Sequence, residues 1–251
     1  MTTTAVRASE IPAMSHREAM TIAADEAARL LDLVGQLSVD DWSAPTDCDG
    51  WDVKAMLSHV LGGMEATARV REFVRQLRAA TKAEKRSGRP MIDEMTAAQV
   101  RDHATLAPGG FEPKLRTLAP KAVAGRRRIP AVVRALPFSP GPPIDGAWKI
   151  GYLVDTILTR DSWMHRVDLS RATGKPLVLT PEHDGRIVAD VVAEWARAHG
   201  QPFELMLHGP AGGTFVQGDR SEVVDLDAVE FCRILSGRGS GSGLLDQEVP
   251  F

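Results

Sequence analysis

Residues 15–37 carry apolar side chains at Ile22, Leu30, Leu33, Val34 and Leu37, close to the 3.6-residue period of a helix with one buried face. Ser15 followed by Glu18 fits a capping box, in which each side chain takes up an amide at the helix start. The pattern stops before SVDDWSAPTDCDGW, whose Pro45 and Gly50 belong to a loop. A second helix is predicted from about Asp52 through Lys85, with Asp49 or Asp52 as its cap. A carboxylate there satisfies free N–H groups and complements the positive helix end. The pair Gly62–Gly63 weakens this helix and allows either a kink or the close approach of a neighbour. A short helix is expected within residues 91–110, ahead of a Pro-Gly-Gly turn. A long helical stretch over 112–136 follows, disturbed early by Pro113 and Pro120. Residues 137–146, rich in proline and glycine, read as a loop. The last long helix covers 148–173 and is closed by Gly174 as a C′ glycine. Four long helices predict a bundle, a fold whose sites lie in the core between facing helices.

Beyond Gly174 the pattern changes. Pro181 opens a helix, and Phe203, Leu205 and Leu207 alternate as a strand does. GGTFVQG and SEVVDL read as two more short strands, DLDAVEFCRILSG as a helix, GRGSGSG as a flexible loop and LLDQEVPF as a final strand. The expected fold class is therefore mainly α. A loose N-terminal arm covers 1–14, a four-helix bundle 15–175, and a small α+β domain 176–251.

Composition narrows the partners. Of 251 residues, 43% are hydrophobic, enough to bury a sizeable core. A net charge of −3 argues against a nucleic-acid partner, which calls for a clearly basic surface. No apolar run approaches the roughly 18–20 residues of a membrane span, and the N-terminus lacks the apolar centre of a secretory signal. Cys48 and Cys232 are the only cysteines, with no CxxC. The expectation is a protein of the reducing cytoplasm with both thiols free, Cys48 structural and Cys232 in the core.

Candidate chemistry lies in RDSWMHRVD. Asp161 and His165 are spaced i, i+4 and share one helix face, so a carboxylate and an imidazole could hold one divalent ion. Asp168 falls near the same face. A third ligand must come from another element, and His59, among Met56, Val60 and Gly63, is the best candidate. Three protein ligands with an open fourth position is the arrangement of catalytic zinc. The blander reading uses the same residues. A histidine on an apolar face is more often a hydrogen-bonded core residue, and Asp161 could simply pair with Arg160, Arg166 or Lys149. Spacing leaves both open. His16, His103, His183, His199 and His208 show no ligand spacing, Trp51 reads as core packing, and Arg126–Arg127–Arg128 reads as solvated surface.

A resemblance adds to this. Thr46-Asp-Cys-Asp-Gly-Trp51-Asp-Val53, with Leu57-Ser-His59 after it, resembles the helix-entry motif T-x-C-x-G-W-x-V-x-x-x-x-x-H of the mycothiol-dependent maleylpyruvate isomerase family. That family belongs to the wider DinB-like group of metal-binding four-helix bundles. Arg160-Asp161-x-Trp163-x-His165-x-x-Asp168-Leu169-x-x-Ala172-x-Gly174 resembles its R-x-x-E-x-x-x-H-x-x-D-L-x-x-A-x-G, and FCRILSGR with the closing VPF is similar to its C-terminal domain. The resemblance implies zinc, or another divalent metal, on His59, Asp161 and His165. It implies mycothiol, the low-molecular-weight thiol of actinobacteria, as cosubstrate and a small electrophile as substrate. It also implies a sterol-carrier-like second domain closing over the site. Arg238, in the SGRG loop, becomes a candidate for binding a substrate carboxylate. A thiol with a pKa of about 8.5 is mostly protonated at neutral pH, and binding to zinc deprotonates it. The implied activity is that of an isomerase or S-transferase, the alternative being a non-catalytic DinB-like protein that binds a small molecule or lipid. The family commonly has glutamate where this chain has Asp161. The shorter carboxylate must therefore approach from a closer backbone; Asp168 either contributes in its place or, the favoured reading, orients a ligating histidine.

Overall fold

The structure, a computed structural model, describes residues 5–141, 146–219 and 222–251. It is mainly α-helical and divides into two compact units, Ser15–Pro176 and Leu177–Phe251 with the N-terminal segment. Among the described residues no helix is long and apolar enough to cross a membrane.

The helical unit begins with α1, His16–Val34, started by the expected capping box: Ser15 Oγ accepts from Glu18 N–H at 3.2 Å and Glu18 Oε2 from Ser15 N–H at 3.3 Å. Helix α2, Val53–Ala68, is capped by Asp52, whose carboxylate accepts the Ala55 amide at 2.7 Å. The helix expected to run on to Lys85 is broken at Arg69, which is extended (φ −144°, ψ 115°), and α3, Val70–Ser87, restarts after it. The break is thus not at Gly62–Gly63. Gly62 serves close packing instead, since a Cβ there would lie 2.6 Å from Gln99 Cβ and Cγ.

Helix α4, Met91–Asp102, returns beside α3, and the two pack as a hairpin on α2. Helix α5, Phe111–Arg127, tolerates Pro113 in its first turn and carries Pro120 inside, and the short α6, Ala131–Arg134, follows. The segment 137–146 is not wholly loop. β2, Pro137–Phe138, pairs antiparallel with β3, Trp148–Lys149, while 142–145 lie outside the described residues. The chain then winds through α7, Ile150–Tyr152, a π-helical turn Leu153–Ile157, and α8, Leu158–Thr173, closed by left-handed Gly174. Helices α1, α2, α5 and α8 form the bundle. Leu30, Val53, Met56, Leu57, Leu61, Phe111, Leu115 and Leu169 fill its centre with no exposed surface. Each contributes roughly 1.5–3 kcal/mol relative to exposure.

Arg126 corrects the reading of 126–128 as solvated surface. It is buried, donating from Nε to the Val154 carbonyl at 2.7 Å and from Nη2 to Thr159 Oγ1 at 2.6 Å. Burial brings its pKa down to about 10. The acceptor belongs to the π turn, whose displaced carbonyls need partners from outside the helix.

In the other unit a π turn, Pro181–Gly185, leads into α9, Arg186–His199. Strands β4, Phe203–His208, β5, Gly213–Gln217, and β6, Glu222–Asp227, precede α10, Ala228–Leu235. β4 pairs antiparallel with β5 and parallel with β6, and Phe203, Leu205 and Leu207 point to the core as the alternation required. Trp195 packs its ring against Phe203 and Phe231 at centroid distances of 4.8 and 5.3 Å.

Two expectations fail here. The N-terminal segment is not wholly a loose arm: β1, Val6–Arg7, lies parallel to β5, giving the sheet order β1-β5-β4-β6. LLDQEVPF forms a 3-10 turn, Gly243–Asp246, and no strand; Val249 N–H instead donates to the Leu235 carbonyl at 3.0 Å, closing the tail on α10.

Candidate metal centre

Two bundle helices supply the site. The Asp52 cap fixes where α2 begins and so which residues face α8; His59 comes within its second turn. On α8, Asp161 and His165 stand one above the other at i, i+4. Asp161 Oδ1 lies 3.6 Å from His59 Nε2 and 3.3 Å from His165 Nε2. The imidazole rings meet edge to face at 5.2 Å and 78°, and Trp51 backs His59 at 5.3 Å. One ligand atom from each of the three residues falls within 4.8 Å of the others.

The nitrogens on the far side of both rings are already engaged. His165 Nδ1–H donates to Asp168 Oδ2 at 3.1 Å, and Asp168 is fully buried. The thiol of Cys48 reaches the same oxygen at 3.4 Å and lies 3.8 Å from His165 Nδ1. His59 Nδ1 is 2.7 Å from Gln99 Oε1. With hydrogens on both Nδ1 atoms, two Nε2 lone pairs and a carboxylate oxygen converge on one space. Three acceptors facing each other favour a shared cation between them, a metal ion or a proton.

A divalent ion fits that arrangement. Ligand bonds of about 2.0–2.1 Å in a tetrahedron place ligand atoms about 3.3 Å apart; the His165 separation equals this at 3.3 Å and the His59 separation is slightly longer at 3.6 Å. The shorter Asp161 side chain brings its Oδ1 within 3.6 Å of both imidazole nitrogens. It also keeps 30% of its surface exposed against 13% for His59 and 5% for His165, so the site is approachable from the Asp161 side. A proton is the other cation available. Burial works against charge on both groups, yet the Asp161 carboxylate and its hydrogen bond, helped by Asp168, hold His165 well above the usual imidazole range. In turn His165 and His59 hold Asp161 well below the usual carboxylate range.

The structure thus brings together His59, Asp161 and His165, with Asp168 on the opposite ring nitrogen of His165. Arg238 belongs to the other unit, half-buried, with its N–H donating to the Arg233 carbonyl at 2.9 Å and its own carbonyl accepting from Arg233 Nη2 at 3.1 Å. Sequence reasoning passed over Gln99 and the contact of Cys48 with Asp168. Cys48 sits in the quoted motif, so its place there was a usable signal, whereas nothing in the pattern of α4 singles out Gln99.

Known proteins agree with the architecture. Two solved structures, of a mycothiol-dependent maleylpyruvate isomerase and of a histidine-to-alanine mutant of that enzyme, superpose with a TM-score of 0.58 each. Both are 16% identical; the mutant aligns over 90% of each chain and the other structure over 91%. At that identity the likeness is one of fold. No curated protein sequence matches the chain. The family described as the mycothiol maleylpyruvate isomerase N-terminal domain matches residues 23–170, a span that holds His59, Asp161, His165 and Asp168. By that match the chain belongs to the mycothiol maleylpyruvate isomerase N-terminal domain family.

Proposed function

We propose that this protein is a metal-dependent, mycothiol-using enzyme of the maleylpyruvate isomerase kind, acting as an isomerase or S-transferase on a small electrophile. One divalent ion, zinc in the first instance, is held by His59 Nε2, Asp161 and His165 Nε2. The convergence of both Nε2 atoms on Asp161 Oδ1, with both Nδ1 atoms engaged elsewhere, carries the reading. Family membership and the fold likeness to a mycothiol-dependent maleylpyruvate isomerase support the thiol as cosubstrate.

A divalent ion so held supplies a Lewis acid that favours thiolate over thiol at neutral pH. The chain's own residues do the rest. Asp168 fixes the ring of His165 and raises its strength as a ligand. Gln99 and Trp51 hold the ring of His59. Asp161 brings the negative charge and leaves its exposed side for the thiol to enter. Arg238 is assigned to a substrate carboxylate, which its guanidinium fits with two parallel hydrogen bonds. Addition of the thiol to a conjugated cis double bond leaves a single bond free to rotate. Elimination then returns the thiol and the trans isomer, with no net oxidation. Displacement of a leaving group by the same thiolate gives the S-transferase outcome.

The test is turnover of α,β-unsaturated and leaving-group electrophiles by the zinc-loaded protein with mycothiol, following both electrophile and free thiol. Isomerisation conserves the thiol and S-transfer consumes it one for one. A zinc-loaded protein that does neither would be a binding protein of the same fold.

A further inference from the structure

The Nδ1 side of His59 leads into two buried glutamines from the α3–α4 hairpin. Gln99, on α4, places Oε1 2.7 Å from His59 Nδ1. Its Nε2 donates to Gln76 Oε1, on α3, at 2.8 Å. Gln76 Nε2 in turn donates to the Gly62 carbonyl and to Glu72 Oε1, both at 3.0 Å. Gln76 and Gln99 are 1% and 4% exposed, so water does not compete for these bonds.

The chain has a direction. The Gly62 carbonyl and the Glu72 carboxylate only accept, so they draw the amide nitrogen of Gln76 towards themselves. Its oxygen then faces Gln99, which must present its own nitrogen there and its oxygen to His59. Reversing the chain would set the Gln76 oxygen against two acceptors, at about 1–3 kcal/mol for each buried group left unsatisfied. The hydrogen of His59 is thereby placed on Nδ1, and the lone pair on Nε2, towards Asp161. Gly62 makes the arrangement possible from the other side, since a Cβ there would stand 2.6 Å from Gln99 Cβ and Cγ.

We infer that Gln76 and Gln99 form a positioning relay that locks His59 in its Nδ1–H tautomer, so that Nε2 is ready as a ligand before any ion arrives. The inference rests on the metal reading above and extends it to residues on neither ligand-bearing helix. The two histidines are held by different means: His165 by a carboxylate at one bond's remove, His59 by neutral amides anchored on the Gly62 carbonyl and the Glu72 carboxylate.

The test has two readouts. Long-range 1H–15N correlation on the metal-free protein above about pH 8, where an ordinary imidazole is neutral, reports which nitrogen of His59 carries hydrogen. Chelator competition reports zinc affinity. Wild type is expected to show Nδ1–H. Gln99→Leu is expected to yield a mixture of tautomers and a loss of about 10- to 100-fold in zinc affinity. Gln76→Leu, which touches neither His59 nor the ion, is expected to shift both readouts the same way by less. Gln99→Asn, too short to reach, serves if Gln99→Leu does not fold. An Nε2–H tautomer in the wild type, or folded variants with wild-type tautomer and affinity, would overturn the relay. Zinc binding absent in the wild type, or kept in His59→Ala, would instead overturn the metal reading, and the tautomer would still decide the relay.

Discussion

Asp168 Oδ2 accepts the Nδ1 hydrogen of His165 at 3.1 Å from three residues further along α8, so the imidazole and the carboxylate that orients its ring lie on one helix face. Asp168→Asn keeps the shape and an acceptor but removes the charge. We expect the protein to stay folded and its zinc affinity to fall about tenfold, measured by chelator competition. Unchanged affinity would show that the carboxylate does not act through His165.

The length of Asp161 gives a second prediction. Its oxygen already stands 3.6 and 3.3 Å from the two Nε2 atoms, near the edge of a zinc tetrahedron. The extra methylene of Asp161→Glu must therefore buckle. Zinc should still bind, up to about tenfold more weakly, whereas Asp161→Ala should bind none. Tighter binding by Asp161→Glu in the same competition assay would mean that this backbone is set for the longer side chain.

The adjacent glycines of α2 should respond in opposite directions. Alanine at Gly62 meets Gln99 at 2.6 Å, and such overpacking costs about 1–3 kcal/mol. Alanine at Gly63 meets nothing within 4 Å and should add up to about 1 kcal/mol through helix propensity. Urea unfolding of the two variants checks this; equal effects would remove the close-packing role given to Gly62.

A pH dependence is expected away from the metal centre. The Glu65 carboxylate, 3.3 Å from His103 Nε2, raises the pKa of His103, with burial opposing and the Gln99 carbonyl helping from Nδ1; Lys114 acts against the rise. A histidine pKa raised by folding contributes stability that is fully present below the unfolded value of about 6.5. That stability is lost as pH rises through the higher folded value. The stability difference between wild type and Glu65→Gln should therefore be larger near pH 6 than near pH 9, as about 6.5 lies between them. A difference that does not change with pH would mean that the pair is not charged in the folded protein.

What the sequence discloses here is what local physics decides. The Ser15–Glu18 box, the Asp52 cap and the Gly174 stop all act within a few residues of themselves, and all form. The break at Arg69 carried no proline or glycine to announce it. Val6–Arg7 is too short for an alternating pattern, and its strand exists only because β5 offers an edge. LLDQEVPF has strand-like residues but gains its backbone partner from Leu235 instead. Periodicity placed Asp161 and His165 on one face, yet nothing in their spacing says that α2 lies opposite; the apolar face around His59 made it a candidate, and the family resemblance favoured the pairing. Gln76 and Gln99 left no trace at all, because a glutamine's part in a buried relay depends on which carbonyl lies across from it.

The central claim is one divalent ion on His59, Asp161 and His165. Elemental analysis of the purified protein, beside His59→Ala prepared identically and with zinc offered to both, tests it most directly. The account predicts about one zinc per wild-type chain, from three ligands arranged as in a catalytic site, and none in folded His59→Ala. A wild type without metal, or a variant that keeps it, would contradict the account.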